Sequence, residues 1–371
     1  MWERDSSMGC PYEDEGSMTI STSDESYNTT ISGVQEDSEY FVSVTAVNSD
    51  DNTTSNITTA STDEDIPSGA PMNVTLTDLT PTSVSFQWGS VDCIHRNGQI
   101  TGYSINYNIQ GSSESMSVLV TVNSPSDGGT YTIIALEPSE MYDVEIAAQN
   151  TIGTALNTSG FTILTHVAVP ALSVGSLTSV SVDLQWTSSG QQQVTYQISL
   201  QRDTSIGCPY EDNRNLTVTN GLTAAQVAGL EEDSRYWFAV TASNPASSSD
   251  VSNTVSAMTE KAAPTASPTS VVASEIALLK IRVVWGPVEC IHRNGAITSY
   301  RVCHTNLDTL SEICIPSSAD GATSLDIPVS SAALYSVRVA AVNDLGEGPF
   351  SNEVQIEVAP GEPLTEYISL S

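Results

Sequence analysis

Cysteine and histidine are the residue types in this 371-residue sequence best suited to metal binding, nucleophilic attack or cross-linking. The six cysteines are Cys10, Cys93, Cys208, Cys290, Cys303 and Cys314. Four of them fall in duplicated motifs: Gly-Cys-Pro-Tyr-Glu-Asp occurs around Cys10 and Cys208, and Cys-Ile-His-Arg-Asn-Gly begins at Cys93 and Cys290. The two copies are 198 and 197 residues apart, so the chain repeats itself in units of about that length.

The duplicated histidines, His95 and His292, invite a functional interpretation, but a metal site would need more ligands nearby. The Asn-Gly that follows each of them favours a tight turn with positive φ leading into a strand. We therefore expect this loop to dock against a neighbouring domain, with a ligand site as the alternative. No Ser/His/acid, Cys/His or phosphate-binding glycine motif is found. The sequence predicts no catalytic residue, no metal and no cofactor.

The charge balance is strongly acidic, with 44 acidic residues against 11 basic ones and a formal charge of −33. Such a field repels phosphate backbones, which makes nucleic acid a poor candidate partner. The carboxylates are expected to form a soluble face. Calcium binding near Asp63, Glu64 and Asp65 is the alternative, although the spacing of an EF-hand loop is absent.

A tyrosine marks an internal repeat, with an Ala six positions later and an Asn eight positions later. Apolar and polar residues alternate between the Tyr and the Asn, which indicates a half-buried β-strand. A second alternating strand ends in Trp upstream of three of these tyrosines. The repeated residues are Tyr40, Tyr142, Tyr236 and Tyr335, with Trp88, Trp186 and Trp285. We expect all seven to be structural core.

An early-strand Trp, a later Tyr and a closing Ala-x-Asn resemble the fibronectin type III domain. The last copy is the fullest match, because Asn343, Gly346, Gly348, Pro349 and Ser351 are similar to that family's F-to-G turn. The resemblance covers nearly the whole chain. It implies an all-β fold of tandem seven-stranded immunoglobulin-like sandwiches in an elongated array, with the Trp on strand B and the Tyr hydroxyl bonded to upstream backbone.

Proline-bearing linkers divide the chain into four modules and a tail. Modules 1 to 4 are predicted at residues 1–64, 67–165, 168–260 and 263–358, with the tail at 359–371. Aligning Ser6–Asp14 with Thr204–Asp212 places Met1 inside strand C, so module 1 lacks strands A and B. We expect an incomplete sandwich there whose open sheet edge promotes association.

The resemblance also implies where the cysteines lie. Cys10 and Cys208 would sit in C-to-C′ loops, at the end where the chain leaves a module, and Cys93 and Cys290 in B-to-C loops, at the end where it enters the next. Since those ends face each other, we infer two disulfides between modules, Cys10–Cys93 and Cys208–Cys290. The remaining pair, expected to join strands C and C′ of module 4, is Cys303–Cys314.

Two bridged junctions would make two stiff pairs of modules joined by a hinge in the linker at residues 165–170. Glycosylation sequons agree with an oxidising, extracellular compartment. They occur at Asn28, Asn52, Asn56, Asn73, Asn157 and Asn215. The alternative is a cytosolic protein with six free thiols.

No segment of the sequence is apolar enough for a signal peptide or a membrane span. We expect a fragment whose parent continues in both directions. The favoured function is a non-catalytic binding or adhesion segment in the ectodomain of a plasma-membrane receptor or adhesion protein, with a protein or glycan ligand at the cell surface. The alternatives are a passive spacer in a receptor kinase, phosphatase or secreted enzyme, and an intracellular scaffold.

Overall fold

Antiparallel sheets make up nearly all of the regular structure. The computed structural model describes residues 1–6, 10–23, 25–124, 127–190, 193–205, 208–317 and 321–360. Gly9 and Gly207 of the cysteine motif and the predicted tail beyond residue 360 lie outside these ranges. The chain divides into two compact units: residues 1–168 with 189–194 and 242–249, and residues 169–188, 195–241 and 250 onward.

Module 1 supplies one sheet and a separate hairpin. Its strands are β1 (Trp2–Arg4), β2 (Glu15–Gly16), β3 (Glu39–Val42), β4 (Thr45–Val47), β5 (Asn52–Thr54) and β6 (Thr58–Ser61). The sheet has the order β2-β1-β3-β6, and β4 pairs with β5 alone. In the described part of module 1 no second sheet covers these strands, and Val44, Val47 and Ile57 are more than two thirds exposed.

Module 2 is a seven-stranded sandwich. Its strands are β7 (Met72–Leu79), β8 (Ser83–Gly89), β9 (Gly102–Ile109), β10 (Met116–Thr121), β11 (Gly129–Ile134), β12 (Met141–Gln149) and β13 (Thr154–Leu164). One sheet runs β11-β8-β7 and the other β10-β9-β12-β13. Strands β7 to β13 therefore take the places A, B, C, C′, E, F and G, and the apolar face of each alternating strand points into one core between the sheets.

Module 3 repeats this order of strands. They are β14 (Leu172–Leu177), β15 (Ser181–Trp186), β16 (Thr195–Arg202), β17 (Asn213–Val218), β18 (Ala224–Ala228), β19 (Arg235–Ser243) and β20 (Val255–Met258). The sheets run β14-β15-β18 and β17-β16-β19-β20. Alternation is nearly strict along β16, where Tyr196, Ile198 and Leu200 are buried and the residues between them are exposed.

Module 4 differs in its last strand. Its strands are β21 (Thr269–Ala277), β22 (Lys280–Gly286), β23 (Ser299–Asn306), β24 (Ser311–Pro316), β25 (Ser324–Pro328), β26 (Leu334–Asn343), β27 (Gly346–Phe350) and β28 (Val354–Glu357). The seventh strand is in two pieces on either side of Ser351, whose Oγ accepts the Val339 N–H at 3.0 Å, as Ser252 Oγ accepts the Val240 N–H at 2.9 Å in module 3. Both pieces still pair with β26.

The repeated aromatic residues lie in the cores. Each of the three tryptophans is at most 5% exposed and packs against a strand-C tyrosine with ring centroids 5.3 to 5.4 Å apart. Burying one such ring stabilises its module by roughly 4 to 6 kcal/mol as an upper estimate. The tyrosine pairs are Trp88–Tyr103, Trp186–Tyr196 and Trp285–Tyr300.

The strand-F tyrosines fix the loop that precedes them. The hydroxyl groups of Tyr40, Tyr142 and Tyr236 accept the backbone N–H five residues upstream at 2.7, 2.9 and 3.0 Å. Tyr335 instead donates to the carbonyl of Ser331 at 3.0 Å. Every module therefore has the tie between tyrosine and upstream backbone that the resemblance implies.

Candidate functional site at the disulfide-bridged junctions

Two disulfides join consecutive modules, one in each unit. Cys10 of module 1 is bonded to Cys93 of module 2 with Cα atoms 5.4 Å apart, and Cys208 of module 3 to Cys290 of module 4 at 5.5 Å. These separations lie within the usual range of roughly 4.4 to 6.8 Å. The structure thus brings together the four cysteines that the resemblance to the fibronectin type III domain places at facing module ends. We call the two sites junction 1 and junction 2.

Each cysteine is presented by a short, defined segment. Cys10 and Cys208 lie in loops that follow strand C, and both are buried. Cys93 and Cys290 each begin a single 3₁₀ turn between strands B and C, at Cys93–His95 and Cys290–His292. The disulfide therefore links an ordered turn of one module to a loop of the other.

A buried arginine holds each cysteine loop. Arg4 Nη1 donates to the carbonyl oxygens of Cys10 and Tyr12 at 2.8 and 3.0 Å, and its Nε donates to Ser38 Oγ at 2.9 Å. Arg4 as a whole residue is 7% exposed. The three acceptors therefore replace the water that its guanidinium has lost. The loop that carries the cysteine is thereby fixed to strand C and to the loop before strand F.

Junction 2 has the same arginine in the same place. Arg202 Nη1 donates to the carbonyl oxygens of Cys208 and Tyr210 at 2.7 Å each, and Nη2 donates to Ser234 Oγ at 2.9 Å. Sequence reasoning missed this pair of arginines. The available signal was an arginine six positions before each duplicated cysteine, in a chain with 11 basic residues.

The Asn-Gly of the B-to-C loop adopts the predicted positive φ. Asn97 and Asn294 have φ of 52° and 54°, and the glycines after them 149° and 145°. In this conformation each asparagine Nδ2 donates to a linker carbonyl at 2.9 Å, that of Ile66 in junction 1 and that of Ala263 in junction 2. The loop therefore docks on the linker that enters its own module.

The duplicated histidines serve the same docking. The backbone carbonyl of His95 accepts from the Ser68 N–H at 2.9 Å, and that of His292 from the Thr265 N–H at 3.0 Å. Their rings face the same linker residues, with Nδ1 of each 3.4 Å from the hydroxyl. Among the described residues, the one group able to offer three metal ligands is Cys303, Glu312 and Cys314, and its two sulfurs are bonded to each other.

The asparagine that ends strand F also binds the linker. Asn150 Nδ2 donates to the Asp65 carbonyl at 2.7 Å, and Asn343 Nδ2 to the Ala262 carbonyl at 2.6 Å. Each Oδ1 meanwhile accepts two backbone N–H groups of the F-to-G turn. One repeated side chain therefore closes a turn and anchors the incoming chain.

We call the set of bonds repeated at both junctions the frame: the disulfide, the buried arginine, the B-to-C loop with its His and Asn-Gly, and the strand-F asparagine. The charges around the two frames differ. In junction 1, Glu64 accepts a hydrogen bond from Thr151 Oγ1 at 2.5 Å. In junction 2, Lys261 takes the place of Glu64 and lies 4.0 Å from a carboxylate oxygen of Asp344. Partial burial and the nearby Glu64 carboxylate raise the pKa of Asp37 in junction 1.

Module 1 adds a second polar contact at its strand-F tyrosine. Tyr40 donates its hydroxyl hydrogen to Asp14 Oδ2 at 2.6 Å. Burial, followed by the hydrogen bond to that carboxylate, raises the pKa of Tyr40 to about 12. The tyrosine therefore ties the loop after Cys10 to the loop before strand F.

The third disulfide lies within module 4. Cys303 on β23 is directly opposite Cys314 on β24, with Cα atoms 4.0 Å apart. It joins the edge strand β24 to its neighbour. All six cysteines are bonded, and none is free in the described chain.

The six sequon asparagines are all exposed. Four of them lie in strands, β5, β7, β13 and β17, and two lie in connecting segments. The asparagines are Asn28, Asn52, Asn56, Asn73, Asn157 and Asn215.

Among the described residues, no helix is long and apolar enough to span a bilayer.

Among curated proteins, the chain is 27% identical to the tyrosine-protein phosphatase Lar-like of Caenorhabditis elegans over 65% of its length and 11% of that protein. It is 27% identical to protein sidekick-1 of Gallus gallus over 66% of its length and 12% of that protein. It is 23% identical to receptor-type tyrosine-protein phosphatase F of Bos taurus over 81% of its length. The matched segments span 11 to 16% of these relatives.

Two of the sandwiches carry the family assignment. The family model for the fibronectin type III domain matches residues 69–162 and 167–258, which together make up half of the chain. These ranges cover strands A to G of modules 2 and 3, apart from the last two residues of β13. The strand order and the buried Trp and Tyr of those sandwiches agree with it. The chain belongs to the fibronectin type III family.

Proposed function

We propose that this chain is a non-catalytic binding or adhesion segment in the ectodomain of a cell-surface receptor or adhesion protein. Its ligand would be a protein or a glycan at the cell surface. The observation that carries the proposal is the pair of disulfides between modules, Cys10–Cys93 and Cys208–Cys290. Bonds that staple one module to the next persist in an oxidising compartment and are rare in the cytosol.

The relatives support the same class of protein. Two are named as tyrosine-protein phosphatases, one of them receptor-type, and the third is protein sidekick-1. The six exposed sequons add to this, and we propose that they accept glycans. The predicted module boundaries at 1–64, 67–165, 168–260 and 263–358 belong to the same proposal.

The bridged junctions would act by fixing geometry. Each combines a disulfide, a buried arginine and two asparagines bonded to the linker. Modules held in this way would present their loops and strand faces at a constant spacing and angle. None of the three disulfides bridges modules 2 and 3, and we propose the linker at residues 165–170 as the hinge between them.

Chemistry at the junctions gives no reason to propose an enzyme. The arginines, asparagines and histidines of the frame are hydrogen-bonded to backbone carbonyls or linker hydroxyls. Nucleic acid is not proposed as a partner, because the chain carries a net charge of −33, and no cofactor is proposed. A passive spacer within a receptor or secreted enzyme is the second candidate, and the same bridges favour it equally.

Disulfide mapping of protein from its native source tests the compartment. We expect peptides linking Cys10 to Cys93 and Cys208 to Cys290, and a mass loss on enzymatic removal of N-glycans. Recovery of all six cysteines in alkylated form without reductant would instead indicate an intracellular scaffold. Cell-binding by the isolated segment, lost when the glycan-free loops are masked by antibody, separates a binding role from a passive spacer.

A further inference from the structure

A polar cleft lies in the second unit, beside the Cys208–Cys290 bridge. It has a volume of about 470 Å³ and is formed by the loop before strand F of module 3 and by the B-to-C loop of module 4. Its lining includes the acidic residues Glu231, Glu232 and Asp233 and the basic residues Arg202 and Arg293, a formal balance of one net negative charge. Ile291 and Asn294 also line it.

Junction 1 shows which group occupies the equivalent point. Gln35 Nε2 donates to the Ile94 carbonyl at 2.9 Å, to Glu36 Oε2 at 3.1 Å and to Asn97 Oδ1 at 3.3 Å. The two hydrogens of this nitrogen are therefore shared among three oxygen acceptors from two modules. The side chain that closes this gap in junction 1 belongs to the protein itself.

In junction 2 the three acceptors are retained and the donor is not. Ile291, Glu232 and Asn294 stand where junction 1 has Ile94, Glu36 and Asn97, and Glu231 stands where it has Gln35. A carboxylate in place of the amide adds acceptors and removes the N–H donor.

The consequence is visible at Asn294. This residue is 3% exposed, its Nδ2 donates to the Ala263 carbonyl, and its Oδ1 has no hydrogen-bond partner. A buried acceptor without a donor is destabilising, because it has lost its water without gaining a partner. The counterpart atom, Asn97 Oδ1, is the one that accepts from Gln35.

The two guanidiniums at the cleft do not supply the missing hydrogen. Arg202 donates to the Cys208 and Tyr210 carbonyls and to Ser234, and Arg293 Nε donates to the Val288 carbonyl. An occupant must therefore bring its own N–H groups and positive charge. An anion would be repelled by the carboxylates and would offer the acceptors nothing.

A calcium ion fits less well. In the part of the chain that the structure describes, no three carboxylates bring their oxygens within 4.8 Å of one another. Calcium prefers six to eight oxygens at about 2.3 to 2.6 Å. A primary ammonium has three donors that can point at separate acceptors, which suits oxygens spread around a cleft.

We propose that the junction-2 cleft binds a primary ammonium group, with Glu231, Glu232, Asn294 Oδ1 and the Ile291 carbonyl as its acceptors. The group comes from a lysine side chain of a partner protein or from a free amine. This chain has two lysines, and one of them, Lys261, already lies beside Asp344 in the same junction. The proposal does not depend on the cell-surface role.

The two junctions allow a reciprocal test in the full chain. Isoleucine δ-methyl groups are labelled with ¹³C, and methylammonium chloride is titrated against equal concentrations of tetramethylammonium chloride, which carries the charge without N–H donors. We expect saturable shifts of Ile291 and Ile297 with methylammonium alone. Glu231→Gln restores the junction-1 composition and is expected to weaken binding at least tenfold.

Gln35→Glu is the matched control. It removes the internal donor from junction 1 and is expected to produce a new saturable response of Ile94 to methylammonium. Intact disulfides and unchanged circular dichroism verify that both variants fold, and if Glu231→Gln did not fold, the Ile94 response would still decide. Equal shifts with tetramethylammonium, or no saturable shift, would overturn the proposal, and saturation by calcium chloride alone would show a metal site instead.

Two further ligands distinguish the source of the ammonium. Nα-acetyl-lysine methylamide represents a protein side chain, and spermidine represents a free amine. Tighter binding of the lysine derivative than of methylammonium supports a partner protein, and tighter binding of spermidine supports a free amine. Failure of both to displace methylammonium from Ile291 and Ile297 would contradict the proposed acceptor set.

Discussion

Junctions 1 and 2 have nearly the same frame but join very different modules. Module 3 is a full sandwich, whereas the described part of module 1 has a single sheet and a hairpin. Even so, the buried arginine, the disulfide, the Asn-Gly turn and the strand-F asparagine recur with hydrogen-bond lengths that agree within about 0.3 Å. On the side of the preceding module, the frame is therefore local: it needs strands C and F and the loops around them.

What surrounds the frame is free to change. Glu64 in junction 1 is Lys261 in junction 2, and Gln35 is Glu231. The first exchange reverses a charge, and the second replaces the donor that closes the space between modules. A duplicated structural device can thus keep its bonds while the surface that it displays diverges.

Removing the bridges is expected to have the largest effect. Each encloses about 82 residues, worth about 4.5 kcal/mol in the chain-entropy model. In the variant Cys10→Ser with Cys93→Ser we expect module 1 to unfold, because little apolar burial remains to hold its sheet. Hydrogen exchange of the β3 amides measures this.

The matching variant Cys208→Ser with Cys290→Ser serves as the control. Module 3 keeps its own core, including Trp186 and Tyr236, so its β19 amides are expected to stay protected while the junction loosens. Equal loss of protection in β3 and β19 would show that module 3 also depends on its bridge. That result would contradict the asymmetry between the two modules.

Replacing the arginines is expected to have the next largest effect. Arg4→Met and Arg202→Met each leave two carbonyls and a serine hydroxyl without their donor, at about 3 kcal/mol in all. Reduction of the adjacent disulfide by dithiothreitol should accelerate by the same factor at both junctions. Arg301→Met, which removes an exposed pair with Glu347, is the control and should change stability by less than ~1 kcal/mol.

An effect confined to one junction would mean that the frame depends on the modules it joins. Reduction rates are the suitable measurement because they report on the cysteine loop itself. Global unfolding would mix the loss of the arginine with the different cores of modules 1 and 3.

The sandwiches were within reach of the sequence, because alternation before Trp88 and after Tyr142 predicts two strands of one core. The pairing of Cys10 with Cys93 followed from the resemblance to the fibronectin type III domain, which places their two loops at facing module ends. The role of Arg4 was missed, since an isolated arginine normally indicates a solvent-exposed side chain. Junction 2 has Glu231 where junction 1 has Gln35. The importance of this difference could not be predicted from the sequence, because it depends on the hydrogen bond from Gln35 Nε2 to Asn97 Oδ1.

The strand-F asparagines allow a smaller test of the shared frame. Asn150→Ala and Asn343→Ala each remove a hydrogen bond to the linker and two within the F-to-G turn, which we expect to cost about 1 to 2 kcal/mol. Chemical denaturation monitored at the linker amides of Asp65 and Ala262 measures the loss. Asn48→Ala is the control, because Asn48 Oδ1 closes the equivalent turn in module 1, and a loss as large there would assign the effect to the turn.

The pKa of Asp37 tests the charge difference between Glu64 in junction 1 and Lys261 in junction 2. We expect this test to give the smallest change in stability. Because its pKa is raised in the folded state, the folded chain holds this proton more tightly than the unfolded chain. The contribution is fully present below the ordinary pKa of 3.8 and is lost as pH rises through the raised value. Glu64→Lys, which copies junction 2, should lower the pKa of Asp37, as followed by carboxyl ¹³C titration. The control Glu114→Lys, in the β9–β10 hairpin at the other end of module 2, should leave it unchanged, and an equal response to both would assign the shift to net charge.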